Sequence, residues 1–265
     1  MSAFKKYLSI EFSYIKFSII NLMEYRSNFL FRAGYELIGL IITMLYFFVV
    51  FSKITELAGW TVDQVAFTII YAFLIDSIFT MFFVESISSI PSYIVSGSLD
   101  MIMIKPVNKQ FMLTCTRPCM PQIFNILLSS LLMVYIAVRY DLNIGIISIA
   151  GFILCTIASI VIIYSVFSVV VFLSFWFIRI GSLSNIIYMF HIAGSRPGDI
   201  YAKGFKFILT FIIPFLIIIN VPVEVIYNGN LMLFFKYSLP ISIVFFLLST
   251  LLLKIGLKKY TSAGG

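Results

Sequence analysis

Ile144-GIISIAGFILCTIASIVIIYSVFSVVVFLSFWF-Ile178 contains no Asp, Glu, Lys or Arg from end to end. A helix needs roughly 20 mostly apolar residues to cross the hydrocarbon core of a bilayer. A membrane β-strand would instead alternate apolar and polar positions over about ten residues. This run is continuous, so it reads as helix. Outward from it, Ile38–Phe51, Ile123–Val138, Phe205–Val223 and Leu239–Leu253 are almost free of charge as well. Of the 265 residues, 62% are hydrophobic and 11% charged, with a mean hydropathy of +1.10. A soluble domain carries about 25% charged residues. The fold class expected is all-α, a polytopic membrane protein with about six transmembrane helices. They fall near 29–52, 64–90, 121–139, 145–177 and 232–254, with one more within 178–225.

The chemistry-bearing residues are sparse. Cys115 and Cys119 stand four apart with no second pair or nearby histidine, and Cys155 is alone, so neither a zinc site nor a disulfide is expected. The single histidine, His191, has no Asp or Glu close in sequence. No Ser–His–Asp or Cys–His set is recognisable, and no GxxxxGK[ST] occurs. The chain therefore reads as lacking its own catalytic machinery, metal or cofactor. A membrane-embedded transferase would need clustered acids, histidines or metal ligands, which this pattern does not offer.

The net charge of +7 would suggest nucleic acid in a soluble protein. Here its distribution fits the positive-inside rule, and the partner surface is the lipid bilayer rather than nucleic acid. With the N-terminus in the cytoplasm, Lys5, Lys6, Lys16, Arg26, Lys105, Lys109, Arg117 and Arg179 lie inside, with Lys254, Lys258 and Lys259 at an inside C-terminus. The outer connections hold only Lys53 and Arg139. Residues 1–28 do not resemble a cleavable signal, because charges and aromatics run through them. As a helix they bring Phe4, Tyr7, Leu8, Phe12, Ile15, Ile19 and Leu22 towards one side, which predicts an amphipathic helix lying in the interface. Tyr7, Tyr14, Trp60, Tyr140, Trp176 and Tyr260 are expected as interfacial anchors.

Residues 178–231 admit two readings. In one, a helix spans 205–223 and leaves Arg196, Lys203 and Lys206 in the cytoplasm. In the other, the chain crosses outward at about 180–195 and 204–230 forms a re-entrant hairpin, broken by Pro214 and Pro222. Charge favours the first; the prolines and the polar run Ser182, Ser184, Asn185 and His191 favour the second. Glu36, Asp76 and Glu85 fall within or at the ends of the first two spans. An acid at the helix centre costs about 2.5–3.5 kcal/mol on insertion scales, so these should face the bundle interior or a cavity. Glu36, Asp76, Glu85 and His191 are thus candidates for a translocation path, or alternatively for helix-to-helix hydrogen bonds. An ion-coupled carrier would show paired repeats, and none is evident.

The longest inner connection, 91–121, is punctuated by Gly97, Pro106, Pro118 and Pro121. Ser98-LDMIMI-Lys105 forms a short amphipathic piece with Ser98 as N-cap and Asp100 in the first turn. Leu99, Ile102 and Met103 share one side, suited to a groove on a soluble partner or to the lipid surface.

These motifs resemble the permease subunits of ABC-2-type exporters, in the bacterial branch of about 260 residues that works with a separate ATPase. The resemblance rests on Gly97-Ser-Leu-Asp100 with Lys105-Pro-Val-Asn108, then Arg196-Pro-Gly-Asp-Ile-Tyr201, Thr210-Phe-Ile-Ile-Pro214 with Asn220-Val-Pro222, and the closing Tyr260-Thr-Ser-Ala-Gly-Gly265. It covers essentially the whole chain. It implies a 1–28 connecting helix followed by one permease domain, 29–265, in the bacterial cytoplasmic (inner) membrane with both termini cytoplasmic. It also implies a coupling helix within Gly97–Asn108, where Gly97, Leu99, Asp100, Ile102, Met103, Lys105 and Pro106 would meet an ATP-binding cassette ATPase. That partner would bind ATP and Mg, and a second permease, identical or related, would complete the path. An outer re-entrant hairpin before the last span follows from the same resemblance, and an ATP-independent carrier is the rival class.

Overall fold

Helix follows each uncharged run along the chain. The computed structural model describes residues 3–24, 26–142, 144–177 and 180–260, and every regular element among them is helical. α1 (Ala3–Glu24) precedes α2 (Arg26–Phe51) and α3 (Val62–Val95). Two short helices, α4 (Leu99–Met103) and α5 (Lys109–Thr114), occupy the connection to α6 (Gln122–Arg139). Then come α7 (Ile146–Phe175), α8 (Gly181–Gly194), the pair α9 (Lys203–Ile212) and α10 (Phe215–Asn228), and α11 (Phe234–Lys259). α3, α6, α7 and α11 are long and apolar enough to cross a membrane, and α9 with α10 makes a fifth crossing if counted as one. The six expected segments also include α2 and α8, whose described apolar parts, Leu37–Phe51 and Leu183–Gly194, are shorter.

α6 shows which solvent the bundle is built for. Leu127, Leu131, Val134 and Val138 recur at helical spacing and are exposed, while Asn125, Ser129, Met133 and Ile136 on the other side are buried. A soluble helix would reverse that polarity. Lipid tails are as apolar as leucine, so a membrane helix can turn its small and polar residues inward. The chain is an all-α polytopic membrane protein.

α7 sits centrally against α3, α10 and α11. Small residues set the close approaches: a Cβ on Gly151 would lie 2.8 Å from Val225 and 2.9 Å from Leu231, and one on Gly194 would collide with Phe215. Tyr71, Ile75, Ile162, Ile163, Phe172 and Phe215 fill the centre and are fully buried. α3 begins with Asp63 in its first turn and with the Gln64 side chain accepting the Thr61 N–H at 3.1 Å. Further along it carries a π-helical turn, Thr80–Val84.

The break between α9 and α10 turns the chain by 93° at Ile213 and Pro214. Its surroundings distinguish the two readings of 178–231. Before the break, Lys206 pairs with Asp199 at 2.6 Å, and Asp199 accepts the Trp60 indole N–H at 3.0 Å. After it, Asn228 shares a small pocket with Gly59 and Trp60. The excursion therefore leaves and returns to the end of the bundle that holds the 52–61 connection, as a hairpin does. The charge count pointed the other way because it treated Lys206 and Arg196 as free; Lys206 is ion-paired and Arg196 lies 6.0 Å over the Tyr46 ring. Pro222 does not break the helix as expected. It sits inside α10, whose end is capped by Gly229 in the left-handed region (φ 65). Trp60, expected as an interfacial anchor, is buried and donates to Asp199.

Candidate functional site

Two features bring together the residues singled out in the sequence. The first is the 97–121 connection. Gly97 takes φ 73, a left-handed conformation that favours glycine, and turns the chain from α3 into α4. Ser98 stands before α4 but bonds to Ser96 (2.7 Å) instead of capping the helix. Leu99 is fully buried in the apolar core shared with Ile90 and Leu113, and Ile102 and Met103 are half-buried against it. The side expected to face outward is thus the packing side of α4. Met101 and Ile104, 71% and 82% exposed, project on the other side, with Val95 exposed nearby. Five residues are too short a run for spacing to decide which side docks. Asp100 lies close to Tyr260 at the end of α11, and Lys105 and Pro106 are exposed.

This connection is braced from every direction. Lys6 on α1 donates to the Pro106 carbonyl (2.9 Å), the Asn108 N–H donates to the Tyr7 hydroxyl (3.1 Å), and Ser18 donates to the Pro118 carbonyl (2.7 Å). Tyr7 and Ile15 therefore turn towards the protein, and Leu8, Phe12 and Ile19 are left as the exposed apolar side of α1. The Asn108 side chain accepts the Phe111 N–H and starts α5, and Lys109 Nζ closes on the carbonyls of Met103 and Lys105. The Cys119 N–H donates to the Met81 carbonyl in the π-turn of α3 at 2.7 Å, and the Arg117 N–H to Ser86 Oγ at 2.8 Å. Gln110 ties the connection to two further helices: it donates to the Tyr164 hydroxyl on α7 (2.9 Å) and accepts from Thr250 on α11 (3.0 Å). Burial pushes the Cys115 thiol up to about 11, which keeps it largely protonated at neutral pH.

The second feature is a groove of about 1270 Å³ between α2, α3 and α8. Asp76 on α3 and His191 on α8, 115 residues apart in sequence, meet in it at 2.5 Å. His191 is buried edge-on against Phe215, with its Nδ1 lacking a partner among the described residues, while the Asp76 side chain is 43% exposed. Of the other candidate acids, Glu85 is not among the groove-lining residues, although its helical neighbours Val84, Ile87 and Ser88 are. The side chain of Glu36 lies outside the described residues. Pro214 lies at the break of the hairpin and Pro222 within α10. Among the described residues no group of three His, Cys, Asp or Glu side chains could hold a metal ion.

Sequence reasoning did not find Gln110, Tyr164, Thr250 or Asn220 as organising residues. Asn220 accepts the Gly198 N–H (2.8 Å) and donates to the Arg196 carbonyl (3.1 Å), which fixes the loop ahead of the hairpin. A lone amide in an apolar run was its available signal.

No curated protein and no solved structure matches the chain. The sequence model of the ABC-2 family transporter proteins matches residues 37–264, which takes in the groove, the braced connection and the hairpin. The chain belongs to the ABC-2 family of transporter proteins, as a membrane permease of an ABC-type transporter.

Proposed function

We propose that this permease is half of an exporter and that α4 is where it receives work from an ATP-binding cassette ATPase. The carrying observation is the pair Met101 and Ile104, two large apolar side chains held out on a short helix whose own base is packed and hydrogen-bonded. Fully burying such a side chain contributes about 1.5–3 kcal/mol, enough for two of them to anchor a docking helix. In this reading the α4 end of the bundle is cytoplasmic. The start of α1 and the end of α11 lie there, since Lys6 reaches Pro106 and Tyr260 lies beside Asp100. α1 rests in the inner interface of the bacterial cytoplasmic membrane on Leu8, Phe12 and Ile19. Residues 29–265 act as one permease domain, and a second permease, identical or related, completes the path.

ATP and Mg bind to the partner in this reading. The chain's own part is mechanical. A displacement of α4 is passed to α1 through Lys6 and Tyr7, to α3 through the π-turn at Met81, and to α7 and α11 through Gln110. Coupling energy arises only if the ATPase contacts α4 differently in its open and closed states.

The test is co-purification in mild detergent of the tagged chain with the ATP-binding cassette subunit of the same cell. Met101→Asp with Ile104→Asp should abolish capture while leaving the permease folded. Undiminished capture by the double variant overturns the docking assignment.

A further inference from the structure

The groove has a chemical character beyond its shape. Asp76 is the single acid among its described lining residues, and it stands near the middle of α3. Among the described residues its carboxylate meets His191 Nε2 through Oδ1 and is left nearly half exposed. Arg196 also lines the groove, but its guanidinium lies 6.0 Å over the Tyr46 ring and forms no ion pair with Asp76. The walls of the groove also include Phe47, Phe73, Phe79 and Tyr188. An exposed acid in an apolar, ring-lined groove is complementary to a positive charge carried on a greasy body, because the carboxylate supplies the charge partner and the rings supply area and cation–π attraction.

Drug-sized ligands usually occupy pockets of roughly 300–1000 Å³. At about 1270 Å³ this groove has room for a larger amphipathic molecule. His191 fits the role of a positioning residue. It is 3% exposed, packed edge-on against Phe215 and fixed to Asp76, so it aims the carboxylate at the groove while being shielded from the ligand itself.

We propose that the Asp76–His191 pair marks a binding site for lipophilic organic cations, and that molecules of this class are the cargo; the cargo half rests on the permease function proposed above. The test uses two probes of the same size and shape with opposite charge, tetraphenylphosphonium and tetraphenylborate. Binding is measured to the wild-type chain in nanodiscs, with empty nanodiscs as the blank. The chain should hold tetraphenylphosphonium and not tetraphenylborate. Asp76→Asn should weaken cation binding at least tenfold, and Asp76→Glu should restore most of it, which separates a lost charge from a misfolded variant. Equal binding of both probes, or a cation affinity unmoved by Asp76→Asn, overturns the site and leaves the pair as a helix-to-helix hydrogen bond. The assay requires no ATPase, so its failure is distinct from failure of the permease proposal. Cation binding by a chain that captures no ATPase would sustain the site and remove the cargo role.

Discussion

Ser159 on α7 donates its hydroxyl proton to the Ile218 carbonyl on α10 across 2.7 Å, and that carbonyl is the one Pro222 leaves without its helical partner. A proline has no N–H to return to the residue four before it. At membrane depth no water replaces the missing donor, so a neighbouring side chain must. One serine in an otherwise apolar run therefore lets α10 continue through a proline.

Ser159→Ala should strand a buried acceptor and cost about 1–3 kcal/mol. Pro222→Ala restores a backbone donor, so the serine substitution should be nearly free in that background. Thermal unfolding of the four proteins in detergent measures this coupling; strict additivity would show that the hydroxyl does not serve the Ile218 carbonyl.

Gly194 and Gly34 predict opposite outcomes for the same change. A methyl on Gly194 meets both the side chain and the backbone of Phe215, whereas nothing lies within 4 Å of one on Gly34. Gly194→Ala should destabilise by about 1–3 kcal/mol through overpacking. Gly34→Ala should stabilise α2 by about 0.5–1 kcal/mol, the usual gain from replacing a helical glycine. Melting temperatures of the two variants should move in opposite directions.

Asp199 gives the far end of the bundle a pH signature. Hydrogen bonds from Lys206 and then Trp60 hold its carboxyl below the usual aspartate value of 3.8. Its contribution is thus fully present above about pH 3.8 and is lost as pH falls through the lower folded-state value. Trp60 reports the change directly. In a Trp176→Phe, Glu224→Gln background, which removes the other acid lining the pocket around Trp60, its fluorescence should be flat from neutral pH down to 3.8 and shift below that. Asp199→Asn should remove the acid transition, and an unchanged transition would assign it to another group.

Much of the architecture is legible from hydropathy, because an uncharged run such as Ile144–Ile178 has few ways to exist. The hairpin was legible only as a pair of alternatives, since charge counting cannot see that Lys206 meets Asp199 and that Asp199 meets Trp60. Asp76 and His191 stood out singly as costly residues at membrane depth, but a meeting across 115 positions leaves no local trace. A short helix between Gly97 and Asn108 is legible from the residues that punctuate it, while burial of Leu99 depends on the core around Ile90 and Leu113. The bracing through Gln110 was invisible because a polar residue in a connection needs no explanation until its partners are known.

Leu99 and Ile104, five residues apart, separate folding from docking. Leu99→Asp places a charge in the core and should cost the permease its folded connection, whatever the partner does. Ile104→Asp alters a side chain that is 82% exposed and should leave the melting temperature within the small range of surface substitutions. Size-exclusion profiles of the two variants should differ accordingly.

The most direct test of the account is a photo-crosslink from α4 in native membranes. A benzophenone maleimide attached through Ile104→Cys, in a Cys115→Ser background, should join the chain to an ATP-binding cassette ATPase, with a yield that changes when ATP is added. Crosslinks confined to lipid, or to no ATPase with or without ATP, would contradict the claim that this permease takes its work through Met101 and Ile104.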